Sequence, residues 1–255
     1  DNIDQASYIY GLKSLTSIER HIKMVQLASI NLSTENGITA TEEIGANYFK
    51  TNPNININGS KVLICIANSG IDYLHPDFIY PDGTSKIRYL WDQTKDENPP
   101  DGFNIGTEYT REDINKAIIE NNRNLSVDEE GIGTALSGIC SGLGNVNNEY
   151  SGVAESSELI IVKLKKINGF YNNSMLIAAL EYSYEKAKKE KLPLVNNITL
   201  GSNQAVSSGV STIESDKFYE YGLCNVVAAG NEGSGNHHAT GRIKFEGEVK
   251  DIEIE

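Results

Sequence analysis

The sequence predicts a doubly wound α/β fold, a mostly parallel sheet with helices on both faces. Three observations carry that expectation. Short, continuous apolar runs of strand length recur along the chain, as they do in strands buried on both faces. Helical patterns separate them, which is the spacing of βαβ units. The chain has 255 residues and is 39% hydrophobic, enough for one substantial core.

The elements follow in order. Residues 1–55 are mixed and polar, with weak helical periodicity around Ser14 to Leu27, and read as a lead-in segment wrapping a core. Residues 56–236 form the α/β domain. Its first strand is the run Lys61-Val-Leu-Ile-Cys-Ile-Ala67, closed by Asn68-Ser69-Gly70. Residues 80 to 130 are turn-rich and charged, with Pro99-Pro100-Asp101-Gly102 as a loop signal and one short helix at about Arg111 to Glu120. A second helix begins near Gly131 and places Ile132, Leu136, Ile139 and Cys140 at helical spacing. A strand over Glu158 to Leu164 follows. Ser174 to Lys189 is a strong helix that Asn173 or Ser174 can cap, with Lys186, Lys188 and Lys189 where its dipole favours cations. Two more strands, Leu194 to Leu200 and Cys224 to Ala229, flank a helix over Thr212 to Tyr221. From Arg242 to Glu255 apolar and charged residues alternate, the pattern of antiparallel strands with one wet face. That pattern is still running at Glu255, which suggests continuation. A start at Asp1 is compatible with a trimmed leader.

Charge and composition narrow the function classes. A formal net charge of −13 opposes nucleic-acid binding and attraction to anionic membranes. The longest apolar stretch, Val62 to Ala67, is far short of the ~20 residues of a spanning helix. Cys65, Cys140 and Cys224 are widely spaced, with no C-x-x-C pair, and are expected as buried free thiols. No cofactor is expected.

Three segments carry a resemblance: Ile66-Ala-Asn-Ser-Gly-Ile-Asp-Tyr-Leu-His-Pro-Asp-Phe78, Gly131-Ile-Gly-Thr-Ala-Leu-Ser-Gly-Ile139 and Val227-Ala-Ala-Gly-Asn-Glu-Gly233. In that order they resemble the segments of the subtilisin-like serine proteases that hold the catalytic Asp, the catalytic His and the oxyanion-hole Asn. Gly152 to Lys163 and Asn197-Ile-Thr-Leu-Gly201 fit between them, and the latter resembles the strand lining the family's substrate groove, at Thr199, Leu200 and Gly201. Leu90-Trp-Asp-Gln-Thr94, Pro99-Pro-Asp-Gly-Phe103 and Gly106-Thr-Glu-Tyr-Thr110 are similar to the Csp subtilases of clostridial spores, which act in germination. That branch carries a β jelly-roll insert after the oxyanion loop. Residues 237–255, beginning at His237 and His238, are similar to its start.

The departures decide the expected chemistry. Triad catalysis needs an imidazole to take the nucleophile's proton and pass it to the leaving group. The corresponding position holds Ile132, and the second His of the usual motif is replaced by Ala135. The Asp position holds Asn68, whose amide cannot balance an imidazolium. In a working protease the Asp-to-Asn change costs about 10⁴ in turnover and loss of the His about 10⁶. Asp72 and His75 are the nearby stand-ins, and either would need a different register. Asn231 retains the oxyanion-hole position; its amide suits an oxyanion or simply shapes a tight Gly-Asn turn. The family's nucleophile would lie beyond Glu255. Asp92, Asp96, Glu97 and Asp101 form an acidic loop without the spacing of a calcium site. Gly142-Leu-Gly144 follows a helix and so is no nucleotide fingerprint. His237-His238 lacks the further ligands of a metal site.

The expectation is therefore a catalytically inactive subtilase-like domain. Its implied setting is the bacterial spore. Its implied partners are other Csp-type subtilases or germination proteins, with a small-molecule germinant as a candidate ligand. The alternatives are an active endopeptidase with an unorthodox base and a structural spore component.

Overall fold

The computed structural model describes residues 23–26, 44–55, 57–147, 150–201 and 222–228. The expected helix over Thr212 to Tyr221, the alternating tail from Arg242, Asn231 and the His237-His238 pair lie outside the described residues.

The strands are β1 (Lys23–Gln26), β2 (Leu63–Asn68), β3 (Ile87–Asp92), β4 (Thr107–Thr110), β5 (Glu158–Lys163), β6 (Lys166–Ile167), β7 (Phe170–Asn172), β8 (Leu194–Ile198), β9 (Leu200–Gly201) and β10 (Leu223–Val227). The helices are α1 (Ala46–Thr51), α2 (Arg111–Ile119), α3 (Ile132–Ser141) and α4 (Asn173–Glu190), with a 3₁₀ turn at Pro76–Phe78. Among the described residues six strands make the main sheet, in the order β10-β8-β2-β5-β3-β4. Neighbours are parallel except β4, which runs antiparallel to β3.

Alternation along the central strands builds the two faces. Cys65 and Ala67 of β2, with Ile160 and Val162 of β5, join one cluster with Met175, Leu176 and Leu180 of α4. Ile64 and Ile66, with Leu159 and Ile161, join the other with Ile114 of α2 and Leu136 of α3. Helices thus cover both faces, as the apolar runs require. The cap of α4 is Asn172, one residue earlier than the sequence suggested; its Oδ1 accepts from the Ser174 amide at 2.9 Å.

Four expectations need correction. Part of the stretch read as weakly helical is the strand β1, whose two edges are both paired. Within the region read as turn-rich, β3 is a buried strand between β5 and β4. Asp92, assigned to an acidic loop, ends β3 fully buried, where it accepts hydrogen bonds from Thr94 and Ser126. Cysteine burial also divides. Cys65 is buried, its thiol pushed up to about 12 by burial, whereas Cys224 on the edge strand β10 is exposed.

β3 starts beside a charge in the core. Lys86 is 0% exposed, and its Nζ donates to the Glu155 carbonyl at 2.5 Å. Burial pulls its pKa from 10.5 to about 8, against the pull of the Glu158 and Glu155 carboxylates. Because this base loses its proton more readily when folded, its cost is full below about pH 8 and is relieved as pH rises toward the unfolded value. Lys86→Met should therefore stabilise the protein at pH 7 and flatten its pH dependence. Relative to the variant, the wild type should gain about 2 kcal/mol between about pH 8 and 9.5, read from urea unfolding at each pH.

Candidate functional site

In an open parallel sheet, side chains converge at the carboxyl ends of the strands. Here those ends bring Asn68 of β2 beside Lys163 of β5, its register partner, and against Thr199 after β8. Asn68 is 0% exposed; its Nδ2 donates to Thr199 Oγ1 at 2.9 Å and its Oδ1 accepts from the Ser69 amide at 2.8 Å. A neutral amide meets this pair of partners without a buried charge.

α3 is docked directly onto the turn after β2. The Gly133 amide donates to Ser69 Oγ at 2.9 Å, and Thr134 Oγ1 accepts from the Asp72 amide at 2.8 Å. Gly133 is held so closely that a Cβ there would penetrate the Gly70 carbonyl oxygen and lie 3.0 Å from its nitrogen. Gly70 itself sits at φ 122°, a conformation open to glycine. Ile132, the first residue of α3, is half-buried and packs on the cluster of Ile64, Ile66 and Leu136. The structure thus joins Asn68 to Thr199 and sets the start of α3, where Ile132 lies, against the turn that follows Asn68.

Two residues of this site carried no signal strong enough to single them out. Asp128 accepts from the Gly131 amide at 3.0 Å, the Thr134 amide at 2.8 Å and Thr134 Oγ1 at 2.6 Å, so a carboxylate caps the start of α3. Burial opposes its ionisation, but these bonds and that of Ser69 prevail and hold its carboxyl below the usual range. An Asp three residues before Gly131 was the available clue. Lys163 is also buried; its Nζ donates to the Val127 carbonyl at 2.7 Å and to both Glu129 oxygens, at 2.9 and 2.7 Å.

The stand-ins for a base are otherwise engaged. His75 caps the 3₁₀ turn, its Nδ1 accepting from the Asp77 amide at 3.2 Å. Asp72 accepts from the Leu74 amide at 3.2 Å and pairs with Arg123 at 3.4 Å. Neither makes a hydrogen bond to Asn68. His75 is the one histidine among the described residues. Among those residues no three His, Cys, Asp or Glu side chains converge as a metal site, and no helix is long and apolar enough to cross a membrane.

The strand β9, expected from the resemblance to line a groove, has a neighbour. β1 lies between β9 and β7 in a second, antiparallel sheet of order β6-β7-β1-β9. Val25 pairs with Gly201 and Gln26 with Leu200 on one side, while Lys23 pairs with Asn172 and Met24 with Tyr171 on the other. The backbone edge of Leu200 and Gly201 is taken by the chain's own residues.

A doubly wound parallel sheet, a helix docked by its first turn on the loop after β2, and a short strand after β8 define a subtilisin-like domain. The chain belongs to the subtilase family, whose model matches residues 59–250. In overall structure it is similar to the CspB protease of Clostridium perfringens, with a TM-score of 0.63 and 28% identity over 77% of this chain and 41% of that one. A psychrophilic protease, S41, shares the fold at 22% identity and a TM-score of 0.51, over 74% of this chain and 52% of that one. Subtilisin-like protease 1 of Plasmodium falciparum is 36% identical over 100 residues, which are 39% of this chain and 13% of that protein. The chain therefore spans well under half the length of CspB and a small part of the Plasmodium protease.

Proposed function

We propose that this subtilase-family protein recognises a ligand or partner without cutting peptides, and that it regulates an active Csp-type protease or senses a germinant signal in spore germination. The observation that carries the reading is the pair Asn68 and Ile132 at the positions that resemble the family's Asp and His. Neither side chain can accept a proton from a nucleophile near neutral pH. Supporting it, Asn68 is fully satisfied as a structural link between Ser69 and Thr199, and Ile132 serves as packing. Val25 and Gln26 pair with Gly201 and Leu200, the edge that a peptide substrate would need if these residues line the groove as the resemblance implies. Similarity to CspB supports the germination setting.

The test is active-site labelling of the purified full-length protein with a serine-directed fluorophosphonate, beside a peptide-cleavage assay. The expected result is no labelled serine and no cleavage. Labelling at a single serine, with turnover, would instead establish the second reading, an endopeptidase with an unorthodox base, which the likeness to a protein called a protease favours.

A further inference from the structure

Beside Asn68, the ends of β2, β3 and β5 border an open cleft of about 390 Å³. Its walls carry Lys163, Lys165 and Lys166, Glu129 and Glu130, and Tyr171. The charge on these walls is unevenly committed. Lys163 is saturated by Val127 and Glu129. Lys165 has only a long contact to Asp96, at 3.7 Å, and is 41% exposed. Lys166 is paired with Glu130, both side chains being 36% exposed, and its ammonium stands 4.6 Å from the Tyr171 ring centre. Beneath that pair Tyr171, 4% exposed, has a buried hydroxyl that forms no well-aligned hydrogen bond and faces the Glu130 carboxylate. A buried hydroxyl so poorly satisfied is costly, and natural sites tolerate one where something else is to be bound.

We propose that this cleft binds a small organic carboxylate, which displaces Glu130 from Lys166, takes the Tyr171 hydroxyl as a donor and is steered by Lys165. Glu130 is then an internal competitor, a carboxylate of the protein holding the place of the ligand's. The arrangement has a built-in readout. Glu130 lies two residues before Ile132, on the loop that Asp128 fixes to α3. Release of Glu130 leaves that loop held at Val127, Asp128 and Glu129 but free at Glu130, so occupancy of the cleft is communicated to the start of α3. Lining of mixed sign with a surplus of lysine selects a compact anion; an apolar body would leave the two glutamates unsolvated.

This deepens the sensing reading above and rests on it only for its purpose, since the binding itself requires neither cleavage nor its absence. Succinate is the probe, titrated calorimetrically into the full-length protein, with sodium chloride at equal ionic strength and putrescine as controls. Saturable binding of succinate alone is expected. Tyr171→Phe should weaken it about tenfold, the loss of one hydrogen bond to a charged acceptor. Lys166→Ala should weaken it at least as much, and Glu130→Gln should tighten it by up to about fivefold by removing the competitor. Tyr171→Phe removes an oxygen that makes no well-aligned hydrogen bond in the ligand-free protein, so the ligand-free melting temperature serves as the folding control. Absence of saturable binding, equal binding of putrescine, or affinities unchanged in Tyr171→Phe and Glu130→Gln would overturn the proposal. Because turnover is not measured, those results are separate from the labelling test of the non-cutting reading.

Discussion

Gly133→Ala is expected to lower the melting temperature by roughly 10 °C, a loss of about 3 kcal/mol. The added methyl has no side chain to push aside. It meets the backbone of Gly70, whose oxygen, nitrogen and carbonyl carbon all stand within 3.1 Å of the new carbon. Relief would require α3 to move off the turn after β2, breaking the Gly133–Ser69 and Asp72–Thr134 hydrogen bonds. The same helix supplies the control. At Gly138 a new methyl would meet nothing within 4 Å. Gly138→Ala should therefore raise stability by about 0.5–1 kcal/mol, through the helix propensity of alanine over glycine. Opposite signs for one substitution five residues apart, measured by thermal unfolding, would locate the constraint in the docking of α3. Equal effects would remove it.

Asn68→Asp is the second large effect. The carboxylate would be wholly buried, keeping the Ser69 amide and accepting from a reversed Thr199 hydroxyl but gaining no counter-charge. The neighbouring ammonium of Lys163 is already neutralised by Glu129. An uncompensated buried carboxylate should cost about 2–4 kcal/mol at pH 7. Its folded pKa would be raised, so the cost is expected to shrink as pH falls through that value and the acid is taken up neutral. Adding Ile132→His offers the charge a partner. The double variant should be more stable than the sum of the single changes by about 1 kcal/mol or more at pH 6, in a double-mutant cycle of urea unfolding. Strict additivity would mean that the two positions do not face each other.

The strands visible in the sequence are those with continuous apolar runs. β2 and β5 are buried along nearly their whole length, so composition alone marks them, whereas β8 alternates buried and half-buried residues. β3 is as central but was hidden by its charges. Lys86, Arg88 and Asp92 look like loop residues until their partners are known. Those partners come from the fold: the Glu155 carbonyl, Glu158 and Glu190, and Ser126. Local pattern cannot foresee a charge satisfied by a residue seventy positions away. β1 was hidden for a related reason. Four residues carry too little periodicity to distinguish helix from strand, and ladder bonds on both sides made the choice.

The site divides in the same way. The places of Asn68 at a strand end and Ile132 at a helix start were legible from motif spacing, and the Ser69–Gly133 hydrogen bond joins those two elements. Thr199 was legible as groove strand but not as the partner of Asn68. Asp128, Lys163 and Tyr171 belong to the site by tertiary packing. One caps a helix from outside it, one is buried by a loop laid over it, and one is covered by an ion pair from another segment.

The central position of β1 in the small sheet also bears on the order of assembly. Its rungs join residue 24 to residue 171 and residue 26 to residue 200, so each closes a long loop for a few backbone hydrogen bonds. The main sheet gains its burial from β2, β5 and α4 without it. Loop-closure entropy therefore places β1 among the last segments to settle and the first to open. With its departure, β7 and β9 would present two unpaired edges to whatever strand came next.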